Sequence, residues 1–160
     1  MRLVIGAVGR MKAGPENELL DRYCDRARKA GKAIGIPELA IREIVESRAA
    51  RPQARRDEEA STLVAALSPD AIVVCLDEHG RDETSESLAR MIERRLGDAT
   101  PEIAFLIGGP DGHGQAVRDR ATLTLAFGKA TWPHQLVRVM LAEQLYRAVT
   151  ILTGHPYHRT

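Results

Sequence analysis

Cysteine is scarce in this 160-residue chain, which contains only Cys24 and Cys75. The two lie far apart, and neither has a neighbouring Cys or His at the spacing of metal ligands. The sequence therefore predicts neither a disulfide framework nor a thiolate metal site. Cys75 falls in an apolar run and is interpreted as a small core residue. We expect both thiols to be reduced, as in a cytoplasmic protein.

Long apolar runs and an excess of one charge are also missing. No stretch approaches the roughly 18 apolar residues that a membrane-spanning helix requires, so the sequence does not predict a membrane protein. The 23 basic and 22 acidic side chains leave a formal net charge of +1. This balance excludes a global field that attracts nucleic acid, and any RNA binding has to come from local patches.

What the chain does have is an alternation of strand-like and helix-like segments. Apolar runs typical of buried strands cover residues 3–8, 39–45, 71–76, 103–107 and 123–127. Helical patterns follow them at 16–30, 53–67, 85–96, 115–120 and about 133–152. This order predicts one α/β domain over residues 1–160, with a mostly parallel sheet of five or six strands flanked by helices.

The strongest sign of function is the segment 108–114, GGPDGHG, with four glycines in seven residues directly after a strand. It matches neither the phosphate loop of nucleotide triphosphatases nor the dinucleotide-binding fingerprint. A plain tight turn is one explanation, and close approach of a ligand is the other. Because the strand ends at Leu76 and at 127–132 reach the same edge, we expect a pocket there that suits an adenine-bearing ligand.

The histidines allow several interpretations. His79 and His113 lie beside glycines and are expected at the surface. His134 stands at the start of the last helix, where a structural or capping role competes with catalysis. His155 and His158 have the spacing of a metal pair, but no third ligand follows at a diagnostic spacing, so no metal site is predicted.

Two polar segments are candidates for RNA contact. The stretch 46–59 carries four arginines and is interpreted either as a solvated loop and helix start or as a site for the RNA backbone. The tail 155–159, HPYHR, combines an aromatic ring, two imidazoles and a guanidinium. That composition suits stacking on a base and pairing with a phosphate, although a solvated chain end is the alternative.

The last helix has two apolar stripes. One contains Leu141, Leu145 and Ala148, and the other contains Ala142 and Val149. Because a helix that is apolar on two sides is buried on two sides, the pattern predicts a homodimer through this helix.

Several motifs taken together resemble a known family. They are AVGRMK at 7–12, FLIGGPDG at 105–112, PHQLVRV at 133–139, EQLYRA at 143–148 and HPYHR at 155–159. Over essentially the whole chain the sequence is similar to the ribosomal RNA large subunit methyltransferase H family. The resemblance implies a SPOUT-type fold with a C-terminal trefoil knot, S-adenosylmethionine as methyl donor, and a homodimer. It also implies N3-methylation of pseudouridine 1915 of 23S rRNA on the assembled ribosome.

The same resemblance implies site residues. The cofactor is expected to contact Leu76, Gly108, Gly109, Phe127, Gly128, Lys129, Ala130, Thr131 and Trp132. The loop departs from the family at 128, 130 and 132, where serine, methionine and phenylalanine are usual. Candidates for handling the N3 proton or positioning the base are His134, Arg138, Tyr157, His158 and Arg159. We expect the tail to reach across the dimer to the partner's cofactor.

Three other functions are compatible with parts of the sequence. One is a SPOUT enzyme that acts on tRNA or on a ribose hydroxyl. Another is a non-enzymatic ribosome-associated factor that keeps the fold without the cofactor. The third, a flavodoxin-like nucleotide binder, lacks the expected early phosphate loop and is the weakest.

Overall fold

The computed structural model describes residues 1–159, and its strands form one parallel sheet. Thr160, the last residue of the predicted domain, lies outside the described residues. In chain order the elements are β1 (Arg2–Val8), α1 (Pro15–Gly31), a 3₁₀ helix (Lys32–Ile34), β2 (Glu38–Ile44), α2 (Pro52–Ala65), β3 (Ile72–Asp82), α3 (Ser85–Gly97), β4 (Glu102–Ile107), α4 (Gln115–Arg120), β5 (Ala121–Ala126) and α5 (His134–Leu152). The strand order is β2-β1-β4-β3-β5, and each neighbouring pair is parallel. The predicted α/β fold is confirmed, with five strands.

Both faces of the sheet are covered by helices. Because side chains alternate along a strand, Leu3 and Ile5 of β1 join a core with α1, α3 and α5, while Val4 joins a second core with α2. In β4, Phe105 and Leu106 divide between the same two cores. The central strands are therefore apolar throughout, as a parallel sheet covered on both faces requires. No helix within residues 1–159 is long and apolar enough to cross a membrane.

The two apolar stripes of α5 are covered largely within one chain. Leu141 and Leu145 are fully buried in the core of the sheet face that α1 and α3 also cover. On the other stripe, Tyr146 is buried, and its ring centroid lies 6.2 Å from that of Tyr23 on α1. The second stripe thus gives no support to a dimer, because helices of the same chain satisfy it. The homodimer stays a prediction.

The end of β3 departs most from the sequence prediction, which stopped this strand at Leu76. β3 continues to Asp82, and both Leu76 and Arg81 are in register with Leu125 of β5. A Cβ on Gly80 would lie 2.6 Å from the backbone carbon of Leu125. The segment therefore crosses directly over β5, and the crossing requires glycine. The trefoil knot that the resemblance implies stays a prediction.

The amino edge of the sheet is closed by a buried carboxylate. Glu102 is fully buried, and its Oε2 accepts a hydrogen bond from Arg2 Nε at 2.8 Å. Its Oε1 accepts from the backbone nitrogen of Ser68 at 3.1 Å, and Arg42 Nη2 lies 3.8 Å from Oε2. These contacts join the starts of β1 and β4 to β2 and to the connection before β3.

Candidate functional site

A cavity of about 450 Å³ lies at the carboxyl edge of the sheet. The ends of β3, β4 and β5 form its walls together with the first turn of α5. Eight of the nine predicted cofactor residues are among those that line it: Leu76, Gly108, Gly109, Phe127, Gly128, Ala130, Thr131 and Trp132. Lys129 belongs to the same loop but lies outside the lining. The three strand ends that the sequence predicts at one edge do form one pocket.

The glycine-rich segment after β4 forms a narrow cradle in this cavity. Gly112 has a φ of +83°, and its nitrogen donates to Gly109 O at 2.9 Å, which closes a tight turn. A Cβ on Gly108 would lie 3.0 Å from the backbone carbon of Gly112, and one on Gly109 would lie 3.1 Å from Val8 Cγ1. Side chains at these positions would fill the space between the turn and the sheet.

Helix α2 fixes the far side of the cradle. Arg55 donates from Nε to Asp111 Oδ2 at 2.6 Å and from Nη2 to Oδ1 at 3.2 Å. This hydrogen bond from Arg55 holds the pKa of Asp111 below its ordinary value. Arg56 donates to the backbone oxygen of Asp111 at 3.4 Å. Two of the four arginines in the polar stretch thus hold the glycine turn, whereas Arg48 and Arg51 are exposed.

The expectation that His113 lies at the surface was wrong. His113 is 5% exposed and lines the cavity, with Nε2 3.0 Å from Leu76 O. Burial is the main reason that the pKa of His113 lies below its ordinary value, so the imidazole is neutral near pH 7. Its ring therefore ties the glycine segment to the end of β3. His79, in contrast, is exposed as predicted, and its side chain is 84% accessible.

Polar side chains add further contacts between the glycine segment and the end of β3. Arg118 of α4 lies with Nη2 3.4 Å from Asp77 Oδ2 and with Nε donating to His113 O at 3.3 Å. The pKa of Asp77 is lowered: its burial acts in the opposite direction, but hydrogen bonds from His79 and the charge of Arg118 outweigh it. Asp77 is therefore ionised near neutral pH and pairs with Arg118 at the rim of the cavity.

The loop between β5 and α5 forms the other wall. Gly128 has a φ of +82°, in the left-handed region that favours glycine, and its nitrogen donates to Asp82 Oδ1 at 3.1 Å. Trp132 Nε1 donates to Phe127 O at 3.0 Å, and the indole is 41% exposed. Two of the three departures from the family loop thus have local explanations, since glycine suits the backbone at 128 and the indole at 132 makes a hydrogen bond that phenylalanine cannot make. Nothing in the structure explains Ala130.

The residues predicted to handle the proton or the base are not brought together within one chain. His134 lines the cavity. Arg138 is buried elsewhere, donating to Glu43 Oε1 at 2.7 Å and to the backbone oxygens of Val8 and Gly9 at 2.6 and 2.8 Å. Its guanidinium holds the end of β1 in place and does not line the cavity.

The tail folds back onto its own helices. Tyr157 donates to Glu143 Oε1 at 3.0 Å, and its ring centroid lies 4.6 Å from that of Tyr146. Burial, followed by hydrogen bonding with Tyr23 and then with Glu143, raises the pKa of Tyr157. His158 Nε2 lies 2.9 Å from Glu86 Oε1, and Arg159 is exposed. The tail is therefore packed, and it does not line the cavity of the chain that carries it.

Sequence reasoning missed His113, which lines the cavity, and Glu59, which lies behind the glycine cradle. His113 stands between two glycines, and a side chain in that position has room to turn inward, so a signal was present. Glu59 of α2 gave no such signal, because it lies in a charged helix. It is nevertheless only 5% exposed, and its Oε2 is 2.9 Å from where a Cβ of Gly109 would stand. Within residues 1–159 that oxygen has no hydrogen-bond partner.

The described part of the chain offers no arrangement of side chains suited to metal or thiol chemistry. Residues 1–159 contain no group of three His, Cys, Asp or Glu side chains placed to hold a metal ion. Cys24 and Cys75 are both free and buried, and burial raises the pKa of each to about 12. Cys75 is a core residue, as predicted.

Comparison with known proteins identifies the family of this chain. Residues 1–158 match the family model described as predicted SPOUT methyltransferase. Ribosomal RNA large subunit methyltransferase H of Xanthobacter autotrophicus is 53% identical over 99% of this chain and 99% of that protein. The protein of the same name from Brucella anthropi is 51% identical over 100% of both. The chain therefore belongs to the ribosomal RNA large subunit methyltransferase H family of SPOUT methyltransferases.

Solved structures show more distant similarity. A probable methyltransferase from Bordetella pertussis Tohama I is 17% identical, with a TM-score of 0.49 over 92% of this chain and 95% of that one. The SpoU methyltransferase AviRb from Streptomyces viridochromogenes, in complex with AdoMet, is 14% identical, with a TM-score of 0.41 over 96% of this chain and 61% of that one. These scores are too low to assign a residue role.

Proposed function

We propose that this protein transfers a methyl group from S-adenosylmethionine to N3 of a pseudouridine in 23S rRNA on the assembled ribosome. The observation that carries the proposal is the convergence of eight predicted cofactor residues on one cavity. Membership of the family and identities near 50% to relatives of that name support the same reaction. An enzyme with this substrate works in the cytoplasm, where ribosomes assemble.

The cavity fits the cofactor in size and chemistry. Its volume of about 450 Å³ lies within the usual range of small-molecule sites, roughly 300–1,000 Å³. Backbone groups of the glycine cradle face it from one side, and Phe127 and Trp132 provide apolar surface on the other. Asp77 and Glu78 place carboxylates at the rim, where they complement a cationic ligand. The glycines at 108 and 109 allow the cradle wall to pack closely against the backbone of Gly112 and against Val8 and Glu59.

The chain's own residues would mainly position the reactants. S-adenosylmethionine, when bound, supplies a methyl group on a sulfonium sulfur. In-line transfer requires the methyl carbon and the accepting nitrogen to be held roughly 3–3.5 Å apart. The accepting N3 also has to lose its proton, which calls for a base or for a cation that stabilises the anion. His134, in the cavity wall, is the candidate from the same chain.

We further propose a homodimer in which the partner's tail completes the site. Support comes from an apolar groove of about 230 Å³ beside the cavity, lined by Leu19, Tyr23, Phe127, Val139, Met140, Glu143 and Gln144. Leu136, on the exposed side of α5, is 39% accessible. A second copy seated there would cover apolar surface and bring Tyr157, His158 and Arg159 near the neighbouring cavity.

Labelling tests the reaction directly. Purified protein is incubated with methyl-labelled cofactor and with ribosomes that lack the modification, and the label is mapped by nuclease digestion and mass spectrometry. Label on N3 of one pseudouridine of 23S rRNA supports the proposal. Label on tRNA or on a ribose hydroxyl would contradict the substrate, and cofactor binding without transfer to any RNA would contradict the activity.

Complementation tests the composite site. A subunit that lacks residues 157–160 keeps the cavity, and a Gly108→Val subunit keeps the tail but has its cradle filled. Each homodimer should be inactive, whereas mixed subunits should recover activity through one complete site. Circular dichroism of each variant controls for folding. Full activity of the truncated homodimer, or no recovery on mixing, would overturn the composite site.

A further inference from the structure

The loop that joins β1 to α1 is anchored at several points of its backbone. Arg138 donates to the backbone oxygens of Val8 and Gly9 at 2.6 and 2.8 Å. Met11 N donates to Glu43 Oε1 at 2.8 Å, the same oxygen that accepts from Arg138 Nη1 at 2.7 Å. One buried guanidinium and one carboxylate thus fix three of the four positions from Val8 to Met11.

The arginine that anchors the loop costs free energy to bury. Arg138 is 3% exposed, and its Nε has no partner within residues 1–159. A buried guanidinium is costly to desolvate, and leaving a donor unpaired adds to the cost. A connection that served only to join a strand to a helix would not need such a residue. The loop is therefore preorganised, which is typical of segments that contact a ligand or substrate.

The anchored loop presents two cations to solvent. Arg10 and Lys12 are exposed, while Met11 between them is half-buried, with Sδ 4.0 Å from Arg138 Nη1. Met11 is thus held against Arg138, and the cations on either side of it face solvent.

The position of the loop relates these cations to the cavity. Val8, the last residue of β1, packs against Gly109 of the cradle, since a Cβ on that glycine would lie 3.1 Å from Val8 Cγ1. Val8 is also in register with Ile44, so the connection after β2 begins beside the same loop. That connection carries the exposed Arg48 and Arg51. These two neighbouring connections at the carboxyl edge thus carry four exposed cations, Arg10, Lys12, Arg48 and Arg51, which we call the basic ridge. One carboxylate lies among them, since Glu46 Oε1 is 2.8 Å from where a Cβ of Gly9 would stand.

We propose that the basic ridge binds the phosphate backbone of the RNA whose base enters the cavity. This inference rests on the proposed function and adds the residues that dock the substrate. A chain with a net charge of +1 needs a local cluster of this kind to attract RNA. Trp132, exposed at the cavity rim, offers an adjacent surface on which a base can stack.

The test compares two charge-matched double variants. Arg10→Ala/Lys12→Ala removes half of the ridge, and Lys32→Ala/Arg94→Ala removes one exposed arginine and one exposed lysine near the opposite edge of the sheet. Methylation kinetics are measured on ribosomes that lack the modification. Binding to the same ribosomes is measured by sedimentation over a range of salt concentrations, and cofactor binding by calorimetry.

We expect the ridge variant to raise the KM for ribosomes roughly tenfold, while kcat and cofactor affinity change by less than about twofold. The slope of log affinity against log salt should fall in magnitude by about 1.5, because each lost phosphate contact removes about 0.7–0.9. The control variant should match the wild type in every measurement.

An unchanged KM and salt slope in the ridge variant would overturn the inference. A loss of cofactor affinity would also overturn it, because the cations would then belong to the cofactor site. If the wild type binds ribosomes but transfers no methyl group, the proposed function fails, and the sedimentation difference between the two variants still decides whether the ridge binds RNA.

Discussion

At the amino edge of the sheet the buried Glu102 carboxylate is surrounded by donors, whereas near the carboxyl edge the buried Glu59 carboxylate has an oxygen without one. Glu102 accepts from Arg2 and from the Ser68 backbone. Glu59 Oε1 accepts from Ser47 N at 2.9 Å, but Oε2 has no partner within residues 1–159. Native structures rarely leave such a group unpaired unless the site has another use.

The difference extends to the backbone. The starts of the strands are joined by ion pairs and hydrogen bonds that need only the chain itself. The ends of β3, β4 and β5 instead leave an open cavity behind glycines that exclude a side chain. One edge is closed by contacts within the chain, and the other is open at the cavity that we propose holds the cofactor. Variants at the two edges should therefore separate stability from binding.

The largest effect is expected at Gly80, where β3 crosses β5. In Gly80→Ala the new Cβ would meet backbone atoms of Leu125 at 2.6 Å, which cannot move aside. We expect a loss of roughly 3 kcal/mol of unfolding free energy or more, together with loss of cofactor binding, since the cavity wall depends on this crossing. Chemical denaturation and calorimetry measure the two quantities.

The matched control is Gly97→Ala at the end of α3. A Cβ there meets nothing within 4 Å, so this change should be neutral or should stabilise the protein by about 0.5 kcal/mol. If both alanine variants behaved alike, the crossing would not be the constraint that the geometry indicates.

Glu102→Gln tests the comparison at the amino edge of the sheet, where we expect an effect on stability and not on cofactor binding. Removing the charge leaves Arg2 and Arg42 without their partner, and both are partly exposed, so water replaces some of the lost contacts. We expect the free energy of unfolding to fall by about 2–3 kcal/mol. The dissociation constant for the cofactor should stay within twofold of the wild type. A large change in cofactor affinity would show that the two edges are coupled.

His113→Gln should affect binding more than stability. The amide can replace the hydrogen bond to Leu76 O only with altered geometry, so we expect roughly tenfold weaker cofactor binding, about the worth of one buried hydrogen bond. Calorimetry checks the affinity, and equal affinity in the two proteins would remove His113 from the site.

The same residue predicts a pH dependence. Because burial lowers the pKa of His113 in the folded protein from its ordinary value of 6.5, the unfolded chain takes up the proton first as the pH falls. The stability contributed by the neutral imidazole is therefore complete above pH 6.5 and declines below it until the folded pKa is reached. Denaturation curves at pH 7.5 and pH 5.5 should show a smaller loss in His113→Gln than in the wild type.

Trp132→Phe should have the smallest effect. It restores the residue that the family loop usually carries and keeps an aromatic surface, but it removes the hydrogen bond to Phe127 O. Because the indole is partly exposed, we expect cofactor affinity to fall only a few-fold. Trp132→Ala, which also removes the aromatic surface, should weaken binding further, and equal values for the two variants would assign the whole contribution to the hydrogen bond.

Much of this architecture could be predicted from local patterns. Strands β1 and β4 and the turn after β4 are each indicated by residues within or next to them. These residues are the apolar runs at 3–8 and 103–107 and the glycines that follow β4. The crossing of β3 over β5 is different, because residues 77–82 are polar and show no strand alternation. They pair with β5 through contacts more than 40 positions away, and no local pattern carries that information.

The same distinction applies to two buried positions. The second stripe of α5 is buried, as the sequence predicts. Which elements cover it depends on where α1 and α3 pack. His113 is buried because the end of β3 comes to lie beside the glycine turn, which is again a long-range contact. Local patterns predicted burial along α5 but missed it at His113, and in both cases long-range contacts decide which groups cover the residue.

A crystal structure of the protein with S-adenosylhomocysteine, the demethylated product of the cofactor, tests the central claim most directly. The account predicts this ligand at the carboxyl edge, between Leu76, the cradle of Gly108 and Gly109, and the loop that ends at Trp132. Density at another site, or an empty cavity at a ligand concentration that saturates binding in solution, would contradict it.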